Sequence, residues 1–180
     1  MTANGRDAAK ETLAFTSYGR PWLIVFRGRF GLAFDRWLVR HTGFSVVSAQ
    51  YALAGGQRYQ PTLLLTTIGA RTGLLRSVAL PYIRRGDDYI VVASKGGGPV
   101  NPAWVANLRA DDRCWLRVRR RTIPARGRIV TGAERAELYP YVVERKPNVA
   151  RYQARAATYG REIPLVVLTP VTPDSRKGKR

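Results

Sequence analysis

Residues 63–108 read LLLTTIGARTGLLRSVALPYIRRGDDYIVVASKGGGPVNPAWVANL, and the fold turns on this stretch. Residues 63–68 are a buried-type apolar run, 77–84 a second strand and 89–94 a third, with the turn Arg85-Gly86-Asp87-Asp88 between the last two. The connections are too short for parallel crossovers, so an antiparallel meander is expected. Two glycine-rich basic corners punctuate it: Gly69-Ala70-Arg71-Thr72-Gly73 with Arg76 just beyond, and Ser94-Lys95-Gly96-Gly97-Gly98. Glycine lets backbone N–H groups approach a ligand, and Arg71, Arg76 and Lys95 add positive charge. Each corner alone reads equally as a hairpin turn in a basic protein. Two of them beside a helix start, Asn101-Pro102 into Ala103-Trp104, favour an anion.

Downstream, Asn101 is expected to cap a helix to about Arg109, ended by Asp111-Asp112. Residues 113–120 and 122–130 form a basic hairpin carrying Arg117, Arg119, Arg126 and Arg128. Thr131-Gly132-Ala133-Glu134 has the form of a capping box, with a helix to about Arg145. Pro147-Asn148 breaks it and caps another over 149–158, and 163–169 is a final strand. Upstream, Pro21 opens a helix to about His41, with Gly43 as its stop, and residues 44–47 carry a weak strand signal. Trp22, Phe26, Phe30, Ala33 and Trp37 share one arc of that helix, flanked by Arg29, Arg36 and Arg40. Such a face suits either packing on the domain or an anionic membrane interface. Six or so antiparallel strands with peripheral helices hide their edges best in a closed or split barrel.

The chain of 180 residues carries 31 Lys+Arg against 12 Asp+Glu, a formal net charge of +19. This favours an anionic partner without choosing between a phosphorylated cofactor, a membrane surface and nucleic acid. Cys114 and His41 are each the only residue of their type, so an internal disulfide is excluded and a Cys/His metal site lacks ligands. Cys114 lies in an apolar alternation and reads as a packed strand residue. The N-terminal residues lack the continuous apolar core of a secretory leader, and no uncharged run approaches the ~20 residues of a membrane span. A cytoplasmic protein is expected, peripheral on the inner face of the cell membrane if the aromatic helix binds it.

LLLTTIGARTG with Arg76, VVASKGG, NPAWVANL and IPLVVLTP, in this order across residues 61–170, resemble the deazaflavin (F420)-dependent nitroreductase and quinone reductase family of actinobacteria. The resemblance implies an α+β, mainly β fold: an antiparallel split β-barrel related to FMN-binding proteins, with an N-terminal helix. Residues 1–43 would be the helical extension, 44–170 the cofactor-binding barrel and 171–180 a basic tail. It implies coenzyme F420, whose phosphodiester and polyglutamate tail is strongly anionic. By position, Ala70, Arg71, Thr72 and Arg76 would hold the phosphate and tail, and Ser77, Val78, Ala79, Leu80 and Pro81 would run beside the cofactor. Val92, Ala93, Ser94 and Lys95 would line the ring and phosphate, with Ala103, Trp104 and Asn107 closing the pocket. Ser94 and Tyr152 are the candidate catalytic residues. Arg71 stands where relatives carry lysine, and Tyr152 is the only tyrosine kept over the substrate, which weakens nitroimidazole activation and favours a quinone or enone acceptor, with a nitroaromatic one left open. The alternatives are an FMN binder on the same barrel, or a non-catalytic nucleic-acid- or lipid-binding protein. A monomer or a homodimer fits the family.

Overall fold

Strand alternation is read directly in the burial of β3 (Asp88–Val92) and β6 (Leu165–Pro170). Tyr89, Val91, Val166 and Leu168 face one cluster, while Ile90, Val92, Leu165 and Val167 face another. The computed structural model describes residues 28–54 and 58–171. Its strands β1 (Thr62–Ile68), β2 (Leu75–Arg85), β3, β4 (Arg113–Val118), β5 (Arg121–Val130) and β6 close into a barrel in the order β1-β2-β3-β6-β5-β4. Every pairing is antiparallel. Each strand sends side chains into the first cluster, which therefore fills the barrel; Leu63, Leu65, Val91, Leu116 and Leu168 are almost fully buried there. Cys114 joins this cluster, its Sγ facing the Ala125 carbonyl, and burial pushes its thiol up to about 12, the state of an inert packed residue.

Five helices surround the barrel among the described residues: α1 (Gly28–Thr42), α2 (Val46–Ala54), α3 (Ala103–Ala110), α4 (Gly132–Arg145) and α5 (Asn148–Ala157). α3 adds Trp104, Val105 and Leu108 to the barrel interior, and α4 and α5 cover the second cluster with Leu138, Val142, Val149 and Ala156. α1 lies over β1 and β2, and Gly43 ends it with φ at +76°. Arg117 Nε donates to the Arg40 carbonyl (2.7 Å), tying the helix end to the basic hairpin.

Four local expectations are corrected. Residues 44–47 are not a strand but the start of α2, because polar caps override the β-branched pair Val46-Val47. The Ser45 hydroxyl accepts the Ser48 N–H (2.9 Å), and the Asp35 carboxylate accepts the Ser45 hydroxyl and the Val47 N–H. Thr131 makes no capping bond; Glu134 pairs with Arg128 instead. Asn101 does not cap α3, since Pro102 holds that position and Asn101 Oδ1 accepts Arg161 Nε (2.8 Å). Pro147 likewise occupies the cap of α5, without a side-chain bond. The arc on α1 also faces differently from a packed face: Phe30 is 91% and Trp37 56% exposed, while Asp35 and Val39, one turn apart, point inward. Trp22 and Phe26, and most of the tail after Pro170, lie outside the described residues.

Candidate active site

The end of β3 runs into a tight turn, Lys95–Gly97, in which Lys95, Gly96 and Gly97 all have positive φ. Such backbone is strained for lysine and natural for glycine. Arg161 fixes this turn from below. Its guanidinium donates to the carbonyls of Ala93, Ser94 (3.0 Å) and Gly98 (2.6 Å) and to Asn101 Oδ1. Arg161 is 8% exposed, makes no ion pair among the described residues, and burial lowers its pKa. From above, α5 presses on the turn: a methyl group at Gly97 would lie 2.6 Å from the Tyr152 carbonyl oxygen.

Beside the turn opens a cavity of about 510 Å³. Of the residues expected at a site, Val78, Ala79, Leu80 and Pro81 from β2, Val92 from β3, Ser94, Lys95, Trp104 and Tyr152 all line it. The others lie apart from its wall. Ala70, Arg71, Thr72 and Arg76 form the exposed first corner, where Gly73 has positive φ and its N–H bonds the Gly69 carbonyl (2.8 Å). Ser77 pairs with the Thr66 hydroxyl (2.8 Å), Ala93 is fully buried in the barrel, and Ala103 is exposed on α3. Asn107 is a tether: Oδ1 accepts the Ala70 N–H (3.0 Å) and Nδ2 donates to the buried Thr67 hydroxyl (2.9 Å). It fixes the first corner to α3.

Sequence reasoning missed the rest of the wall. α1 and α2 contribute Leu32, Asp35, Arg36, Val47, Ser48, Tyr51 and Ala52, the link between them Ser45, and Arg58, Gln60, Lys146 and Asn148 complete the wall. Lys146 is the unusual member. No acceptor holds its ammonium among the described residues, and burial lowers its pKa to about 8. Between pH 8 and 10.5 the unfolded chain therefore holds a proton that the folded chain has released, so stability rises with pH across that window. Lys146→Met is expected to raise stability at pH 7 by about 1–2 kcal/mol, allowing for partial contact with cavity water. The gain should vanish as pH climbs through the window, read by urea unfolding at several pH values.

The wall fits an elongated anionic cofactor with a flat ring. The Val78-to-Pro81 stretch, Val92 and Trp104 are apolar, and Ser94, Lys95 and Gly96 stand at one end. A methyl group at Gly96 would meet nothing within 4 Å, so the turn is open there. Among the described residues no cluster of three or more His, Cys, Asp or Glu could hold a metal ion.

An F420H(2)-dependent quinone reductase of Mycobacterium tuberculosis is 36% identical over 147 residues, covering 75% of this chain and 97% of the relative. A putative F420H(2)-dependent quinone reductase of the same organism is 31% identical over 117 residues, covering 65% and 96%. A solved F420-H2 dependent reductase superposes with a TM-score of 0.53 at 33% identity, over 60% of this chain and 93% of that one. A chain described as a domain-swapped dimer gives 0.54 at 33% identity, over 60% and 79%. The sequence model described as F420H(2)-dependent quinone reductase matches residues 41–170, from the end of α1 to the end of β6, and the chain belongs to that family.

Proposed function

We propose that this chain reduces a quinone with a hydride from reduced coenzyme F420, and that the cavity beside Lys95–Gly97 holds both. The observation that carries this is the joining of an apolar wall with a basic glycine turn in one cavity. Bound there, the reduced deazaflavin supplies the hydride from its C5. The chain's own residues do the rest. Lys95, with Arg71 and Arg76 on the neighbouring corner, offers charge to the acidic tail. Val78, Leu80, Pro81, Val92 and Trp104 exclude water around the ring. Ser94 offers a hydroxyl near the reacting end, and Tyr152 contacts the acceptor. Enones and nitro compounds are secondary acceptors for the same site. FMN, with one phosphate and no acidic tail, uses less of this charge.

The hairpin arginines support this reading over a nucleic-acid one. Arg126 pairs with Asp112 (2.6 Å), Arg113 with Asp111 (2.6 Å) and Arg128 with Glu134, while Arg117 caps α1. The remaining hairpin arginines, Arg119, Arg120 and Arg121, have no ion pair among the described residues and sit together at its turn.

Fluorescence titration with F420, with FMN in parallel, tests the cofactor. Saturable micromolar binding is expected, weakened about tenfold by Arg76→Ala or Lys95→Ala, as loss of a charged hydrogen bond implies. Oxidation of reduced F420 by 1,4-naphthoquinone should then be catalysed. Tight FMN binding without F420 binding would sink the proposal.

The exposed aromatic side of α1, with Phe30 and Trp37, supports peripheral attachment to an anionic membrane. Among the described residues no helix is long and apolar enough to cross one. The protein is expected to float with phosphatidylglycerol vesicles, and Phe30→Ser with Trp37→Ser to lose most of that flotation. Unchanged flotation would remove the attachment.

A further inference from the structure

Lys146 and Asn148 lie at the junction of α4 and α5, on the cavity wall, and neither was expected there. Their polar ends have no assigned work in the fold. Asn148 Oδ1 is shut off from solvent without a hydrogen-bond partner among the described residues, an arrangement that ordinarily destabilises. The Lys146 ammonium has no acceptor among the described residues. Asn148 is one helical turn from Tyr152, so the two share a face of α5, and Tyr152 lines the same cavity. A half-buried lysine with no hydrogen-bond partner among the described residues, opening on a cavity, is a group kept for an occupant.

We propose that Lys146 is a substrate-binding catalytic residue: its ammonium holds the acceptor's carbonyl oxygen and gives that oxygen its proton during reduction. This rests on the reading of the cavity as a reductase site and names the group that reading lacks, a proton donor on the wall facing the acceptor. The electrons come as the hydride that the family's reductant supplies. Hydride and one proton together convert a quinone to its hydroquinone. An N–H bond of Lys146 breaks, an O–H bond forms on the reduced acceptor, and the free amine regains a proton from water. The preferred acceptor is accordingly one whose reduction leaves charge on oxygen, a quinone before a simple alkene.

The other titratable groups around the cavity leave this role to Lys146. Asp35 is the one carboxylate of the wall, and its oxygens accept from Ser45 and Val47. Arg36 from α1, Arg58 and Lys95 are the further cations of the wall. Tyr51 from α2 and Tyr152 from α5 are the remaining titratable groups. Burial lowers the Lys146 pKa to about 8, so it is both charged at neutral pH and able to release a proton.

The test uses the anion of 2-hydroxy-1,4-naphthoquinone, whose oxygen stays charged from pH 6 to 10, titrated into full-length protein with and without F420. Wild type should bind it with affinity that falls as pH rises through about 8. Lys146→Met should bind about tenfold or more weakly at pH 7, without that pH dependence. Lys146→Arg should keep affinity at pH 7 and hold it to pH 10, because guanidinium does not titrate there. Both variants should keep wild-type F420 affinity. In turnover with 1,4-naphthoquinone, the Met variant should lose the same limb of the pH profile. If Met binds the anion like wild type, with the same pH dependence, the assignment is wrong. If Met instead loses F420 affinity and Arg restores it, Lys146 holds the cofactor and the assignment is equally overturned. Failure of wild type to bind F420, with naphthoquinone binding still governed by Lys146, would overturn the cofactor reading and leave the oxyanion site standing.

Discussion

Replacing Arg161 by leucine should destabilise the protein by about 3 kcal/mol or more and abolish saturable F420 binding. The guanidinium satisfies the carbonyls of Ala93, Ser94 and Gly98 and the side chain of Asn101. Leucine fills part of the volume and leaves the Ala93 and Gly98 carbonyls and Asn101 Oδ1 without this donor, while the Ser94 carbonyl keeps the Gly97 N–H (2.9 Å). Each buried orphan costs about 1–3 kcal/mol. Against this stands relief of the buried, unpaired charge, since burial already lowers the Arg161 pKa. The orphans outnumber the charge, so the net sign is destabilising. At this chain length the melting point should fall by about 6–12 °C. Lysine should rescue little: one ammonium cannot reproduce a planar fork that reaches carbonyls on both sides of the turn. Urea unfolding and F420 titration measure the two effects separately. A variant with wild-type stability would show that the turn holds its shape without the arginine.

The second large effect is expected from Gly97→Ala. The residue has φ at +74°, and its new methyl would lie 2.6 Å from the Tyr152 carbonyl oxygen and 3.2 Å from Tyr152 Cα. Both are backbone, so neither can swing aside. Left-handed strain alone costs about 1–2 kcal/mol, and the overlap forces α5 off the turn. A total of about 3 kcal/mol is expected, with F420 binding weakened more than tenfold because the lysine turn and Tyr152 separate. Gly96→Ala is the control. Its φ is +63°, but its methyl meets nothing within 4 Å. It should cost only the left-handed strain, about 1 kcal/mol. Equal losses in the two variants would mean that the contact with α5 is not what Gly97 provides.

The strands were legible because their apolar residues either run continuously or alternate, and their turns are short. The run from Leu63 to Ile68 and the alternation at Cys114-Trp115-Leu116 left little choice. Closure of the barrel was legible only as an economy of edges, since nothing local states that β1 pairs with β4. The start of α2 was misread because Val46-Val47 favours strand, while the deciding group, Asp35, lies ten residues earlier on another helix. The site was half legible. Glycine, lysine and serine within one short turn announce themselves. Arg161 and Lys146 do not, because each is one cation among 31, and only burial separates them from the rest. One faint signal existed for Lys146: it is among only five lysines in a chain that otherwise uses arginine, and it directly precedes the Pro147-Asn148 break. Asn107 was placed at the site by resemblance, and its side chain turns out to join Ala70 to Thr67.

β6 lies between β3 and β5 and is hydrogen-bonded to both. During synthesis this means that the meander β1–β3 and the hairpin β4–β5 can each form early, but neither loses its open edge until residues 165–170 have left the ribosome. The apolar Ile90, Val91 and Val92 on the waiting edge are then the segment most exposed to wrong partners. Release of a chain cut short before Leu165 should therefore yield aggregates rather than a smaller soluble protein, and folding of the whole chain should be paced by capture of its last strand.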